Sequence, residues 1–264
     1  MNVFIPFTVL LIFIILYPFL AYKAIRFRAR YSSYRNIRFH FVGELHVAYI
    51  RYLVWALLIP FKFGLIIPYI AYLKREYLVN FMLFGRRPFW FHGEAGHFFP
   101  AYFIGGIIMI SGYVLVFIGL FSLVYPSILS PQDAAEPSNT KWIVATVFIY
   151  AVIMVAYSIG RSVIFTMIQN YSWQHIKMGG RISFRSNYRI GAYTLVQLTN
   201  LLAIVGSLGL AIPWATIRRP RFLMENRYIT ADLGKLGETL EHATKHEAAI
   251  GDAAIDYLDF DIGL

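Results

Sequence analysis

"GLIIPYIAYLKREYLVN" (Gly64–Asn80) is written a second time in this chain, as "GLAIPWATIRRPRFLMEN" (Gly209–Asn226). Both phrases open Gly-Leu-x-Ile-Pro, then run through an aromatic residue, an apolar stretch and a basic pair to Asn. Working outward at the same offset of 145, Phe39 in "RNIRFHF" meets Phe184 in "GRISF". A second offset, of 50, pairs "PFLAY" (Pro18–Tyr22) with "PYIAY" (Pro68–Tyr72), and "FHFVGE" (Phe39–Glu44) with "FWFHGE" (Phe89–Glu94). The chain is therefore built from degenerate internal repeats. Each unit reads as an apolar helix, a Pro with an aromatic residue, a basic amphipathic stretch, aromatic-x-aromatic, and Gly-Glu. Proline begins a helix or bends one, and a nearby glycine loosens the backbone. Gly64, Pro68, Gly209 and Pro213 are accordingly predicted to be structural hinges. The alternation Arg38-Phe39-His40-Phe41 has the period of a short strand with one apolar face.

Composition sets the class. Of 264 residues, 58% are apolar and only 14% charged, too apolar for an ordinary soluble domain. Four stretches carry no charge: Met1–Tyr22, Ala95–Gln132, Trp142–Gly160 and Ile190–Ile217. A helix needs about 20 apolar residues to cross a bilayer core of about 30 Å, and these runs have that length. Met1–Tyr22 lacks the basic start and small-residue cleavage site of a signal peptide, so it reads as a retained span. With no cysteine, the chain has neither disulfides nor thiolate metal sites.

The net charge of +10 is unevenly spread. Residues 1–231 hold 22 Lys/Arg against 6 Asp/Glu, and the remainder holds 2 against 8. The basic residues lie in short segments beside apolar runs, which the positive-inside rule explains without a nucleic-acid partner. Residues 23–43, 74–87, 169–189 and 218–227 are therefore predicted to face the cytoplasm, and the acidic 126–140 the outside. Spans are expected at about 3–22, 99–125 and 141–165. Segments 44–73 and 190–217 start and finish on one side yet are too short for two crossings, so they are expected to be kinked or re-entrant helical hairpins. The resulting expectation is an all-α, multi-pass transmembrane protein with short interfacial strand-like segments. Its parts are a helical membrane domain at 1–230 and an acidic cytoplasmic tail at 231–264.

Few residues point to chemistry. Lys62 is a charge within the first hairpin, and an ionisable group at membrane depth is by default a functional candidate. Gln197 and Asn200 belong to a polar cluster with Thr194 and Thr199 in the second hairpin. Lys62, Gln197 and Asn200 are the candidates for lining a pore or cavity. "HGEAGH" brings His92, Glu94 and His97, all metal-ligating types, within six residues. They could converge only in a loop, so they are weak metal candidates, and no metal or cofactor is expected. No phosphate loop, paired carboxylates within a span, or Ser-His-Asp set is present, which argues against an enzyme.

Taken together, "RYSSYRNIRFHF", "GLIIPYIAYLKREYLVN", "FGRRPFWFHGE", "NLLAIVGSLGLAIPWATIRRPRF" and the terminal "DYLDFDIGL" resemble the YjgN family of bacterial inner-membrane proteins. The resemblance covers nearly the whole chain. It implies residence in the bacterial inner membrane and a domain of unknown function, with no established activity, ligand or catalytic residue. Members of that family carry a further copy of the repeat ahead of the matched region, whereas this chain begins inside an apolar span, so the expectation is either a short form lacking the N-terminal repeat or a chain whose true start lies upstream.

Repeats, broken apolar helices and polar groups at membrane depth follow the logic of transporters. The expected function is therefore transport or channel activity for a small solute or lipid. The alternative is a structural or interaction protein whose basic aromatic loops bind anionic headgroups of the lipid bilayer while its tail recruits a cytoplasmic partner.

Overall fold

The computed structural model describes residues 4–34, 37–62, 64–129, 139–179 and 182–231. The acidic tail beyond Ala231, and most of the predicted outer loop, lie outside the described residues. Two compact units emerge: the described residues within 1–98, 172–185 and 228–231 form one, and those within 99–171 and 186–227 the other.

The first unit corrects the all-α expectation. It is organised on a seven-stranded sheet whose spatial order is the chain order. The strands are β1 (Ser33–Tyr34), β2 (Ile37–Phe41), β3 (Met82–Phe84), β4 (Arg87–Phe91), β5 (Ile176–Met178), β6 (Ile182–Ser186) and β7 (Arg227–Ala231). The pairings from β1 to β6 are antiparallel, with Phe39 opposite Phe84 and Phe89 opposite Met178. Each strand has at most five residues, and partners as distant as Phe91 and Ile176 are separated by long helices. Local sequence shows the alternation but not the partner, which is why the pieces read as isolated interfacial segments.

Between the strands the chain makes paired helical excursions. After α1 (Phe4–Arg30) and the first β-hairpin comes a helix from α2 (Leu45–Tyr49) through a π-helical turn (Ile50–Val54) to α3 (Trp55–Leu57). It is followed by α4 (Ile67–Asn80). α5 (Phe98–Leu129) and α6 (Asn139–Gln174) follow β4, and α7 (Ile190–Gly206) and α8 (Ile212–Glu225) follow β6. Two helices per excursion return the chain beside the strand it left, so the next strand pairs antiparallel without a crossover.

The repeats explain the core of the sheet. Phe39, Phe89 and Phe184, the three residues related by the two sequence offsets, form a row of rings across the sheet. Centroids are 6.3 Å apart for Phe39–Phe89 and 5.9 Å for Phe89–Phe184. Each such pair contributes about 0.5–1.5 kcal/mol beyond area burial. Beneath them Ile37, Phe84, Met178 and Ile182 are buried together. The Gly of Gly-Glu is required by the second aromatic of the pair. A Cβ at Gly43 would lie 2.5 Å from Phe41 Cζ and 2.7 Å from the Tyr77 hydroxyl, and Gly93 sits in the same way against the Phe91 ring.

The second unit is helical. Gly105 on α5 packs against Gly160 and Ile164 of α6, and Gly112 against Ala156, the close approach that small residues permit. Among the described residues two helices are long and apolar enough to cross a membrane, over Ala95–Ser122 and Ile143–Gln174. Part of the span predicted at 3–22 lies outside the described residues, and among these the all-α, multi-pass expectation is cut back to a sheet and two such helices. Their apolar side chains face outward, with Phe103 and Phe117 each 70% exposed and Phe148 66%.

Candidate functional site

The repeated Gly-Pro phrase builds the same turn twice. In the first hairpin the Gly64 N–H bonds the Ile59 carbonyl at 3.1 Å, and the Ile67 N–H bonds the Gly64 carbonyl at 3.0 Å. In the second, Gly209 bonds Ile204 at 2.8 Å and Ile212 bonds Gly209 at 3.1 Å. The φ angles of Gly64 and Gly209 are +78° and +95°, a region that L side chains enter only with strain. Pro68 and Pro213 occupy the first turn of α4 and α8, where the missing N–H has no helical acceptor to lose. The phrase reverses the chain and starts the returning helix.

What lies between the helices differs. Within the second unit, α6, α7 and α8 enclose an open cleft of about 500 Å³. Tyr157, Ser158 and Arg161 line it from α6. Gln197, Asn200, Leu201 and Ile204 line it from α7, and Ile212, Ala215, Thr216 and Arg219 from α8. At the 145 offset, Gln197, Asn200 and Ala215 stand where the first hairpin has Tyr52, Trp55 and Ile70. Three large side chains are thus replaced by smaller ones on the facing surfaces. In the first hairpin Trp55 packs edge-on to Tyr69 with centroids 5.1 Å apart, and Tyr52 packs on Tyr77 at 6.3 Å.

The charges are also redistributed. In the first hairpin Arg51 on the π-helical turn donates to Glu76 and to the Leu73 carbonyl, the latter at 3.0 Å, so the cation is neutralised across the pair of helices. Val196 and Arg221 replace that pair in the second. There Arg218, the counterpart of Leu73, reaches the other way, donating to Thr199 Oγ1 at 2.6 Å and Asn200 Oδ1 at 3.1 Å. Arg219 lies over the rings of Phe165 and Tyr193, at 5.4 and 5.9 Å from their centroids. Cation–π contacts of this kind position a guanidinium without cancelling its charge. Arg161 donates to the Tyr157 hydroxyl at 3.3 Å. Among the described residues no carboxylate lines the cleft. Such an arrangement can bind an anion and can place apolar matter beside it.

Gln197 and Asn200, read from sequence as cavity candidates, line this cleft together, and Asn200 is only 6% exposed. Lys62 does not join them: it is exposed at the turn of the first hairpin, in the first unit. His92, Glu94 and His97 are all exposed in the segment joining β4 to α5. Among the described residues no group of three His, Cys, Asp or Glu is placed to hold a metal ion. Sequence reasoning passed over Arg161 and Arg219 as cleft residues. The signal was present in the replacement of Tyr52, Trp55 and Ile70 by Gln197, Asn200 and Ala215, which removes bulk while Lys74 becomes Arg219.

No curated protein and no solved structure matches the chain significantly. Residues 1–257 match a bacterial family of unknown function, and the chain belongs to that family, DUF898.

Proposed function

We propose that this is a bacterial membrane protein that takes up a small solute or lipid in the cleft of its second hairpin and moves it at the bilayer. The observation that carries the reading is the position of that cleft on α6. Trp142–Gly160 is free of charge, and Arg161, the next residue, lines the cleft. A helix that carries such an apolar run with outward-facing side chains belongs in hydrocarbon, and its first arginine reaches headgroups or water. The hairpin of α7 and α8 then enters from the membrane face beside α6 and returns to it. Consistent with the resemblance to the YjgN family, the membrane is the bacterial inner membrane and the basic segments face the cytoplasm.

A flux measurement tests this. Full-length protein in proteoliposomes accelerates exchange of a fluorescent anionic lipid between leaflets relative to protein-free vesicles, and Arg219→Gln slows it. Flux equal to that of empty vesicles, for this lipid and for a panel of small anions, removes the transport reading.

A second reading, a protein that grips anionic headgroups as a structural element, is favoured by the first unit. Phe27, Tyr31 and Tyr34 are exposed beside the exposed Arg28. Aromatic rings and cations together suit the headgroup layer. In that case vesicle binding depends on anionic lipid while flux stays at the empty-vesicle level.

A further inference from the structure

The cleft is graded from one end to the other, and helix geometry causes the grading. Gln197, Asn200, Leu201 and Ile204 follow at three-, one- and three-residue steps, one face of α7. Ile212, Ala215, Thr216 and Arg219 form the matching face of α8. The helices run antiparallel, with Arg218 bonded to Thr199 and Asn200. The polar ends of the two stripes therefore coincide, and the apolar ends, Ile204 and Ile212, meet beside the turn. Arg161 adds its guanidinium to the lining. Asn200 Oδ1 is used by Arg218, which leaves its amide hydrogens as the donors available to a ligand.

A free inorganic anion would need only one end of this cleft, and a neutral apolar molecule only the other. We propose that the cleft seats an anionic amphiphile with a single long chain. Its phosphate or carboxylate head lies at Arg161 and Arg219, and its chain runs along Leu201, Ile204 and Ile212 toward the turn. Guanidinium groups match the planar, two-point geometry of carboxylate and phosphate oxygens, and a cleft of this volume falls in the usual range of about 300–1,000 Å³ for ligand sites. The assignment rests on the cleft being the solute site of the proposed function, and it concerns binding, not movement. With α6 in the bilayer, the head sits where the charge-free run ends and the chain follows the helices into hydrocarbon. The first hairpin takes no such ligand, because Glu76 neutralises Arg51 and Tyr52, Trp55 and Ile70 occupy the equivalent positions.

Binding to the full chain in neutral-detergent micelles, read by mass spectrometry of the intact protein, tests the assignment. The probes are a lysophosphatidylglycerol, the lysophosphatidylcholine of the same chain length, and glycerol phosphate as the head without a chain. Lysophosphatidylglycerol binds with one-to-one stoichiometry and at least tenfold more tightly than either of the others. Arg161→Gln and Arg219→Gln each weaken it tenfold or more, and Arg219→Lys weakens it less. Asn200→Trp, which installs the side chain of the first hairpin and keeps every cation, abolishes it, while Lys62→Gln leaves it unchanged. Tryptophan emission and the thermal midpoint report folding of each variant. Equal binding of the two lysolipids overturns the anionic head, and equal binding of glycerol phosphate overturns the chain. Undiminished binding by folded Asn200→Trp or Arg219→Gln overturns the site. Binding without any flux leaves this assignment standing and removes only the transport reading; flux of a chain-free solute without lysolipid binding does the reverse.

Discussion

In the first helical hairpin Trp55 packs on Tyr69 and Arg51 pairs with Glu76; in the second, the same positions hold Asn200, Trp214, Val196 and Arg221. The turns that join the helices share the backbone bonds made by Gly64 and Gly209, Leu65 and Leu210, and Ile67 and Ile212, so the backbone plan is common and the contents are not. One copy fills its interior with rings and cancels its charge. The other leaves space and keeps Arg161 and Arg219 along it. Repetition supplied a scaffold, and a few substitutions on the facing surfaces turned one copy into packing and the other into a cleft.

A compensating exchange supports the equivalence. Phe41 and Gly43 correspond to Ser186 and Tyr188, so the large ring moves two residues along the chain while the summed bulk is kept. The hydroxyl moves with it. Tyr77 donates to the Glu44 carbonyl at 2.9 Å in the first copy, and Tyr188 donates to the Leu223 carbonyl at 3.1 Å in the second, where Phe222 replaces Tyr77. Both copies thus keep one ring pair and one hydroxyl bond closing the base of the hairpin, with the donor on opposite members.

The contrast breaks most readily at the filler. Trp55→Ala is expected to cost about 2–3 kcal/mol, below the ~3–5 kcal/mol for removing a fully buried ring, because Trp55 is only half-buried. Asn200→Ala should cost only about 1 kcal/mol, the hydrogen bond from Arg218. Thermal unfolding of the full chain in neutral micelles reads both, and equal losses would mean that the two interiors are not differently packed.

The charge pair gives a smaller effect with a sharper signature. Arg51→Val leaves the half-buried Glu76 carboxylate uncompensated and should cost about 2 kcal/mol. Adding Glu76→Gln removes that unpaired charge and should recover at least half of the loss. A double variant less stable than the single one would show that Glu76 does not depend on Arg51.

The turns should respond alike. Gly64→Ala and Gly209→Ala each force an L side chain to a positive φ and should cost about 1–2 kcal/mol, with the same value at both sites. Adequate room surrounds each, since the nearest atom to an added Cβ is 3.5 Å away at Gly64 and 3.7 Å at Gly209. Strain, not collision, sets the cost, and unequal losses would break the equivalence of the turns.

The smallest difference is in pH dependence. Burial lowers the pKa of Lys74, which lies over the rings of Tyr52 and Tyr17 at 4.8 and 5.9 Å. The unfolded chain then holds this proton more tightly than the folded one, so stability rises as pH climbs from the folded pKa toward the ordinary lysine value, and falls again on return. Lys74→Met should flatten that part of the stability profile. The second hairpin carries an arginine, Arg219, where the first carries this lysine.

How much of this could be read in advance follows the range of the interactions. The sequence by itself determined the apolar class, the repeats, and the residues that reverse each hairpin. These rest on composition, on helical and strand periods within a few residues, and on the backbone rules of glycine and proline. It also singled out Gln197 and Asn200, because polar side chains in an apolar run stand out locally. Only the tertiary structure decided that Phe39, Phe89 and Phe184 form one row in a seven-stranded sheet. Their strands are too short to declare themselves and pair across long helical excursions. The cleft is likewise a tertiary fact. Arg161, Asn200 and Arg219 come from three helices, and what opens space among them is the loss of bulk at two facing surfaces. Volume between helices depends on which faces meet, and that is set by packing across the chain, not by any neighbourhood within it.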